Sequence, residues 1–227
     1  MSKRISQRVY DLYARCYEGF ELLFRRGVGR AIRHMPLRPG DQVLDVGVGT
    51  GLSLEFYPQT VDVTGIDLSV GMLAAARKRL EEGKVRVGCE GRTRLIQGDA
   101  LNLPFRDGAF DGVFMSHVVA TVPDPHRAMR EAVRVVRDRG WVVMVNHFQS
   151  RYPAVSWVEM AIDPICRPLG WRCDLSLAAL LGPLGVQRPR AAFGWTFQTV
   201  FLQKRGDGIV VVGPAEIAGA EAVVERA

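Results

Sequence analysis

The stretch VLDVGVGTGLSLEF, from Val43 to Phe56, places three glycines, Gly47, Gly49 and Gly51, after an apolar run and before a helical pattern. Glycines in such a loop let the backbone approach a ligand closely, because a Cβ there would collide with it. No lysine lies in the loop, so it is not the Gly-Lys-Ser/Thr cradle of nucleoside triphosphates. Leu52 stands where the last glycine of the dinucleotide fingerprint would fall. Asp45, just ahead of the glycines, is a poor neighbour for a pyrophosphate and a good one for an ammonium. Asp67 follows twenty-two positions later, after a second apolar run, placed to accept hydrogen bonds from ribose hydroxyls. These residues ask for a ligand with a ribose and a cationic amino group, and without phosphate.

The elements that position them follow from periodicity. Gln42 to Val46 and Val61 to Ile66 read as buried strands, and Arg94 to Gln97, Phe110 to Ser116 and Gly140 to Phe148 as three more. Helical patterns cover Leu52 to Tyr57, Val70 to Glu82, Pro125 to Val136, Trp157 to Leu169 and Leu175 to Leu181. Asp124 is the expected N-cap of the third of these, with Pro125 at its first position. This alternation of helices with near-continuously apolar strands predicts an α/β, largely parallel, doubly wound sheet covered on both faces. Phe193 to Lys204 reads as a closing pair of antiparallel strands around Gly194. Beyond Gly206 a loose tail is expected, although Ile209 to Val212 can form a strand. The predicted divisions are an N-terminal helical segment over 1–35, a main domain over 36–205 and a tail over 206–227.

At 227 residues, 48% apolar and 24% charged, the chain has the composition of a globular protein. No apolar run reaches the roughly 18 residues of a membrane span, and the N-terminus lacks the uninterrupted apolar core of a signal peptide. The four cysteines are scattered, which argues against a zinc site or disulfide framework and for a reduced, cytoplasmic setting. Net charge is +6, and its location is informative. Before Pro36 eight basic residues face three acidic ones. In the same segment Ile5, Val9, Leu12, Cys16, Phe20 and Leu23 trace one face of a helix, widened by Tyr10, Tyr13, Tyr17 and Phe24. Gly27 and Gly29 are expected to weaken this basic amphipathic helix. It can lie on an anionic membrane surface or pack over the sheet as a lid.

The ordered set Asp45-Val-Gly-Val-Gly-Thr-Gly51, then GIDLS, then QGDA at 97–100 resembles the class I S-adenosylmethionine-dependent methyltransferases, over roughly Asp41 to Phe148. The resemblance implies a Rossmann-like fold and S-adenosylmethionine as cofactor, with S-adenosylhomocysteine as product. It implies that the loop Gly47, Val48, Gly49 and Gly51, with Asp45, meets the methionine portion. Asp67 would hold the ribose, Leu68 and Met72 would flank the adenine, and Asp99 with Ala100 would meet the adenine edge. Local roles stay open beside these: helix packing for Gly51, an N-cap for Asp67, a turn for Asp99 and plain core for Met72.

The stretches YDLYARCYEGF, VGVGTGLSLEFYP, SHVVATVPDP and VNHF further resemble bacterial phospholipid N-methyltransferases and, beyond them, quinone C-methyltransferases. That resemblance implies methylation of an ethanolamine head group, peripherally at the membrane, with a quinone or other small lipophile as the alternative acceptor. A non-catalytic adenosylmethionine- or lipid-binding protein is a third reading. The DNA-amino and arginine methyltransferase signatures are missing, and no nucleic-acid module accompanies the basic charge. An ammonium acceptor must lose a proton before it attacks a methyl group. His117 after the fourth strand and His147 at the end of the fifth fall where catalytic residues sit in open α/β sheets. Asn146 is placed to orient the acceptor. Tyr13 and Tyr17 can close the cofactor cleft and offer ring faces to a methylammonium. His34 and His126 read as surface residues.

Overall fold

The short apolar runs become the strands of one seven-stranded sheet. A computed structural model describes residues 17–83, 92–150, 152–166, 172–186, 189, 191, 197–206, 208–213 and 216–217. Strands β1 (Gln42–Val46), β2 (Asp62–Asp67), β3 (Thr93–Gln97), β4 (Phe110–Ser116) and β5 (Val136–His147) are parallel. Strands β6 (Phe197–Arg205) and β7 (Gly208–Val212) add antiparallel at one edge. The order β3-β2-β1-β4-β5-β6-β7 reverses direction between β1 and β4. A crevice opens at the carboxyl ends of strands where an α/β sheet makes such a switch, and ligands bind there. The glycine loop leaves β1 at that point, and His117 leaves β4 at the same point.

Successive side chains of a strand point to opposite faces, so each central strand feeds two cores. Leu44, Val113, Met115, Val142 and Met144 face one side, against Ala128, Met129 and Ala132 of α3 (Pro125–Val135) and Leu180 and Leu181 of α5 (Leu177–Leu181). Val43, Phe114, Val143 and Val145 face the other, against Phe24, Val28, Ala31 and Ile32 of α1 (Tyr17–Arg33) and Leu73 of α2 (Val70–Glu81). Asp124 caps α3 as expected, its carboxylate accepting the N–H of Arg127 at 2.9 Å.

The structure departs from the sequence reading at several places. Helix α1 runs through Gly27 and Gly29 to Arg33, because its apolar face is buried on the sheet and tertiary packing outweighs the glycines' low propensity. The part of that pattern before Tyr17, including Tyr13, lies outside the described residues. The stretch after the glycine loop is a short 3₁₀ turn, Ser53–Phe56. β5 starts at Val136, directly after α3, rather than at Gly140. The antiparallel pair is made by β6 and β7 with its reversal at Gly206, not around Gly194, which lies outside the described residues. Hence Gly208–Val212 is an edge strand, the alternative to a loose tail at that point. Helix α4 (Pro153–Cys166) begins four residues before the expected Trp157. His34 and His126 are half-buried rather than surface residues, and His34 Nδ1 lies 2.8 Å from the carbonyl of Arg30.

Candidate active site

The glycine loop is held from below. The N–H groups of Gly47 and Val48 donate to Ile66 O, that of Gly51 to Val48 O, and that of Gly49 to Asp67 Oδ2 at 2.9 Å. Four of the loop's donors are thereby used within the protein, which removes the nest of amides a phosphate would need. Gly47 has φ +69°, and a Cβ there would meet Val118 Cγ2 at 2.2 Å. A Cβ on Gly49 would instead meet only the carbonyl oxygen of Gly47, at 3.9 Å. Gly51 packs against Leu54 and Ala76, in keeping with the packing role left open for it. Phe24 and Val28 of α1 close over the loop, forming with residues 47–50, Leu52, Ser53, Ser116 and His117 a cleft of about 50 Å³.

The acids around the loop divide the work. Asp67, half-buried at the end of β2, also accepts the N–H of Ser69 through Oδ1. The N-cap of α2 is Ser69, whose hydroxyl accepts from Met72 N, and not Asp67. Asp99 closes a turn by accepting Leu101 N–H at 2.9 Å. Leu68 and Ala100 are half-buried beside these acids, whereas Met72 is 3% exposed, a core residue. Asp45 is buried beneath the loop, where its carboxylate takes the hydroxyl of Tyr57 at 3.0 Å and bonds to Ser53. Burial, opposed by those two bonds and helped by the charge of Asp67, raises its pKa to about 7.

Beyond His117 lies a second, larger cavity of about 360 Å³. Its walls include Asn146 and His147 from the end of β5, Phe197 from β6, and Val155, Glu159 and Ile162 from α4. His117 lines both spaces. Its ring sits 4.3 Å from that of Phe24 and 5.2 Å from that of Phe197, and its backbone is left-handed at φ +57°. Burial, with a smaller effect of His147, lowers its pKa to about 4, so it is a neutral ring at physiological pH. Asn146 is fully buried and donates to His147 O at 2.7 Å. Phe197 supplies a ring on the wall of this cavity, packed edge-on against Phe24 of the cleft at 4.8 Å, and the side chain of Tyr17 lies outside the described residues.

Residues 44–144 match the family described as a methyltransferase domain. The chain is 44% identical over 148 residues to a phosphatidylethanolamine N-methyltransferase of Cereibacter sphaeroides, covering 65% of this chain and 70% of that protein. It is 31% identical over 232 residues to a demethylmenaquinone methyltransferase of Parafrankia sp. (strain EAN1pec), covering 90% of each. The chain is a class I S-adenosylmethionine-dependent methyltransferase. Among solved structures it superposes on the YcgJ protein of Bacillus subtilis with a TM-score of 0.61 and 25% identity, over 70% of this chain and 66% of that one. A SAM-dependent methyltransferase of Methanosarcina mazei, 22% identical over 74% of this chain and 94% of that one, shares the fold with a TM-score of 0.59.

The chemistry of the glycine loop is compatible with the family's cofactor. A side chain at Gly49 would meet no side chain of the protein, and the amides of Gly47, Val48, Gly49 and Gly51 are committed within the protein, as suits a cofactor without phosphate. Asp67 ends β2 and Asp99 follows β3 by two residues, so both acids stand on the carboxyl-end side of the sheet where the glycine loop leaves β1. When bound, S-adenosylmethionine supplies a methyl group activated by its positively charged sulfur.

Sequence reasoning missed Glu159 and Phe197. Glu159 carried a signal in the form of an acid inside the apolar run WVEMAID, whereas Phe197 reaches the site only through strand pairing. Cys166 and Cys173 are free thiols on the cavity wall, hydrogen-bonded to each other. Burial and that bond push Cys173 up to about 12.

The raised pKa of Asp45 has a measurable consequence. In the unfolded chain this carboxyl ionises near 3.8, in the folded protein near 7. The folded state therefore holds the extra proton across that window, and stability falls as pH rises through it. His117, shifted the other way, contributes stability that is lost as pH falls from about 6.5 toward 4, so the wild-type profile alone mixes the two. Asp45→Asn keeps an acceptor for Tyr57 and removes the titration. The Tm difference between Asp45→Asn and wild type, without cofactor, should grow in the variant's favour from pH 5 to 8. A pH-independent difference would show that Asp45 is ionised throughout.

Proposed function

We propose that this methyltransferase methylates the nitrogen of the ethanolamine head group of phospholipids, working peripherally at a membrane. The observation that carries this reading is the shared wall at His117, which joins the cofactor cleft to a cavity containing His147 and Asn146. The acceptor's ammonium first gives a proton to His147. With its lone pair freed, the amine could accept the methyl group that S-adenosylmethionine, held at the glycine loop and Asp67, would supply. Buried, aligned placement of nitrogen against methyl is the main contribution of such a site. Neutral His117, with the rings of Phe24 and Phe197, forms a wall that tolerates a methylammonium. Identity to the phosphatidylethanolamine enzyme over two thirds of the chain supports the same acceptor.

The lipid part of the reading rests on α4. Val155 and Ile162 line the cavity and are also exposed, and Trp157, Val158 and Met160 continue the apolar surface outward. Contiguous exposed apolar surface of this kind marks an interaction site. Among the described residues no helix is long and apolar enough to cross a membrane. Helix α1 we assign chiefly to the lid. Its Arg25 makes a two-pronged bond to Glu55 at 2.9 Å, and Arg25 and Arg33 both lie over the Phe56 ring. A cleft of about 50 Å³ holds only a water or two, so a nucleoside enters there only when the side chains that cover the loop, Phe24 and Val28, move aside.

The second reading, methylation of a quinone precursor, is favoured by the full-length similarity to the demethylmenaquinone enzyme. Mass spectrometry of lipids and quinones from a phosphatidylcholine-free bacterium expressing the chain separates the two. Methylated phosphatidylethanolamines are expected. Methylated quinone with unchanged phospholipid would replace the first reading by the second. Co-sedimentation of a Trp157→Ala, Val158→Ser variant checks the membrane face: its pelleting on vesicles should fall well below wild type, and equal pelleting would remove α4 from membrane contact.

A further inference from the structure

Glu159 is an acid in an apolar helix that none of the steps above uses. It is 8% exposed, although its neighbours Trp157, Val158 and Met160 on α4 are 55–73% exposed. Its Oε2 accepts the N–H of Ser150 at 2.8 Å, and its Oε1 lies 3.5 Å from His147 Nε2. The other acid of the helix, Asp163, is turned to structure, accepting the N–H of Cys173 at 2.8 Å. Asp163 is not part of the cavity wall, whereas Glu159 is. Two further polar atoms of that wall, His117 Nε2 and Asn146 Oδ1, are buried and lack a hydrogen-bond partner among the described residues. A carboxylate inside largely apolar walls is costly unless a cation or several donors compensate it. One backbone N–H satisfies one of its oxygens. The cavity thus pairs a buried acid with the unmet acceptor Asn146 Oδ1 and the ring of Phe197, which is the chemistry of an ammonium site.

We infer that Glu159 binds the cationic ammonium of the acceptor, with Asn146 Oδ1 as a second acceptor for its N–H groups and Phe197 as a ring wall. The inference rests on the N-methylation reading and deepens it, because it makes charge the basis of acceptor choice. A neutral quinol gains nothing from this carboxylate. A zwitterionic ethanolamine lipid gains an ion pair away from water. Once the proton has moved to His147, the same carboxylate faces the imidazolium, so it serves both cationic states in turn.

The test is calorimetry on the full chain with saturating S-adenosylhomocysteine. The probes are short-chain dihexanoyl phosphatidylethanolamine and dihexanoyl phosphatidylglycerol, which share chains and phosphate but differ in the ammonium. Wild type is expected to bind the ethanolamine lipid at least tenfold more tightly. Glu159→Gln, which keeps an acceptor for Ser150, is expected to weaken that lipid by about ten- to a hundredfold, as for a hydrogen bond to a charged group. It should leave phosphatidylglycerol within twofold and S-adenosylhomocysteine unchanged. No wild-type preference overturns the inference without any variant. Equal weakening of both lipids assigns Glu159 a structural role and also overturns it. Methyl transfer in parallel samples reads the underlying function separately. Charge-selective binding through Glu159 without N-methylation would remove the proposed activity and leave the binding residue standing. N-methylation with equal affinity for both lipids would remove only Glu159.

Discussion

Replacing His147 by alanine is expected to lower turnover by about 10²–10⁴-fold on an ethanolamine lipid, the usual cost of losing a general base, while cofactor affinity stays nearly intact. His147 ends β5, on the wall of the acceptor cavity, and is not among the residues lining the cleft at the glycine loop. Its ring is set 6.2 Å from that of Phe197, and its Nε2 lies 3.5 Å from Glu159 Oε1. His117 is a poor substitute, because burial keeps its pKa near 4 and its driving force for taking a proton from an ammonium is small. Raising pH should partly rescue the alanine variant, since more of the amine is then already neutral. The measurement is methylation rate against pH at saturating cofactor. Wild-type rates across the range would take His147 out of proton transfer and leave alignment of a solvent-deprotonated amine as the mechanism.

Gly47→Ala is the second large effect, this time on stability and cofactor binding together. An alanine at φ +69° costs about 1–2 kcal/mol in backbone strain. Its Cβ would also stand 2.2 Å from Val118 Cγ2, in a side chain only 7% exposed, and overpacking of that kind costs about 1–3 kcal/mol. Together these predict a loss of roughly 2–5 kcal/mol, or a Tm lower by roughly 5–15 °C for a chain of this size. S-adenosylhomocysteine affinity should drop with it, because the loop and Asp67 are tied through Gly49. Val118→Ala removes the overlap but not the strain. The double variant should therefore lose clearly less than the two single variants combined. Strict additivity would show that Val118 is not what meets the new methyl group.

The local parts of this methyltransferase were legible in the chain. Short apolar runs separated by helical patterns specify parallel strands and their order along the sequence, because each pattern reports burial within a few residues. The boundaries of β1 and β4 fall where periodicity put them. The ligand's character was also legible, since glycine spacing, a missing lysine and acids at strand ends are local chemistry. Errors arose where a long-range contact outweighed a local preference. Gly27 and Gly29 stay helical because α1 is pinned to the sheet by Phe24, Val28 and Ile32. The strand reversal falls at Gly206 because pairing with β5 extends β6 to Arg205.

The acceptor side belongs to tertiary structure alone. His117, Phe24 and Phe197 come from three elements and meet only because β4 lies beside β5 and β6 closes on β5 with Phe197 opposite His147. Glu159 joins them because α4 folds back over the carboxyl end of β5. The separation of Asp45 from the cleft surface is of the same kind, set by Tyr57 and Ser53 covering its carboxylate. The sequence by itself determined the fold class and the cofactor, since these are written in residues close together along the chain. Which side chains share a cavity, and which acid faces the acceptor, was decided by strand order, register and helix placement. Those depend on the packing of the whole molecule, and no short stretch of sequence encodes them.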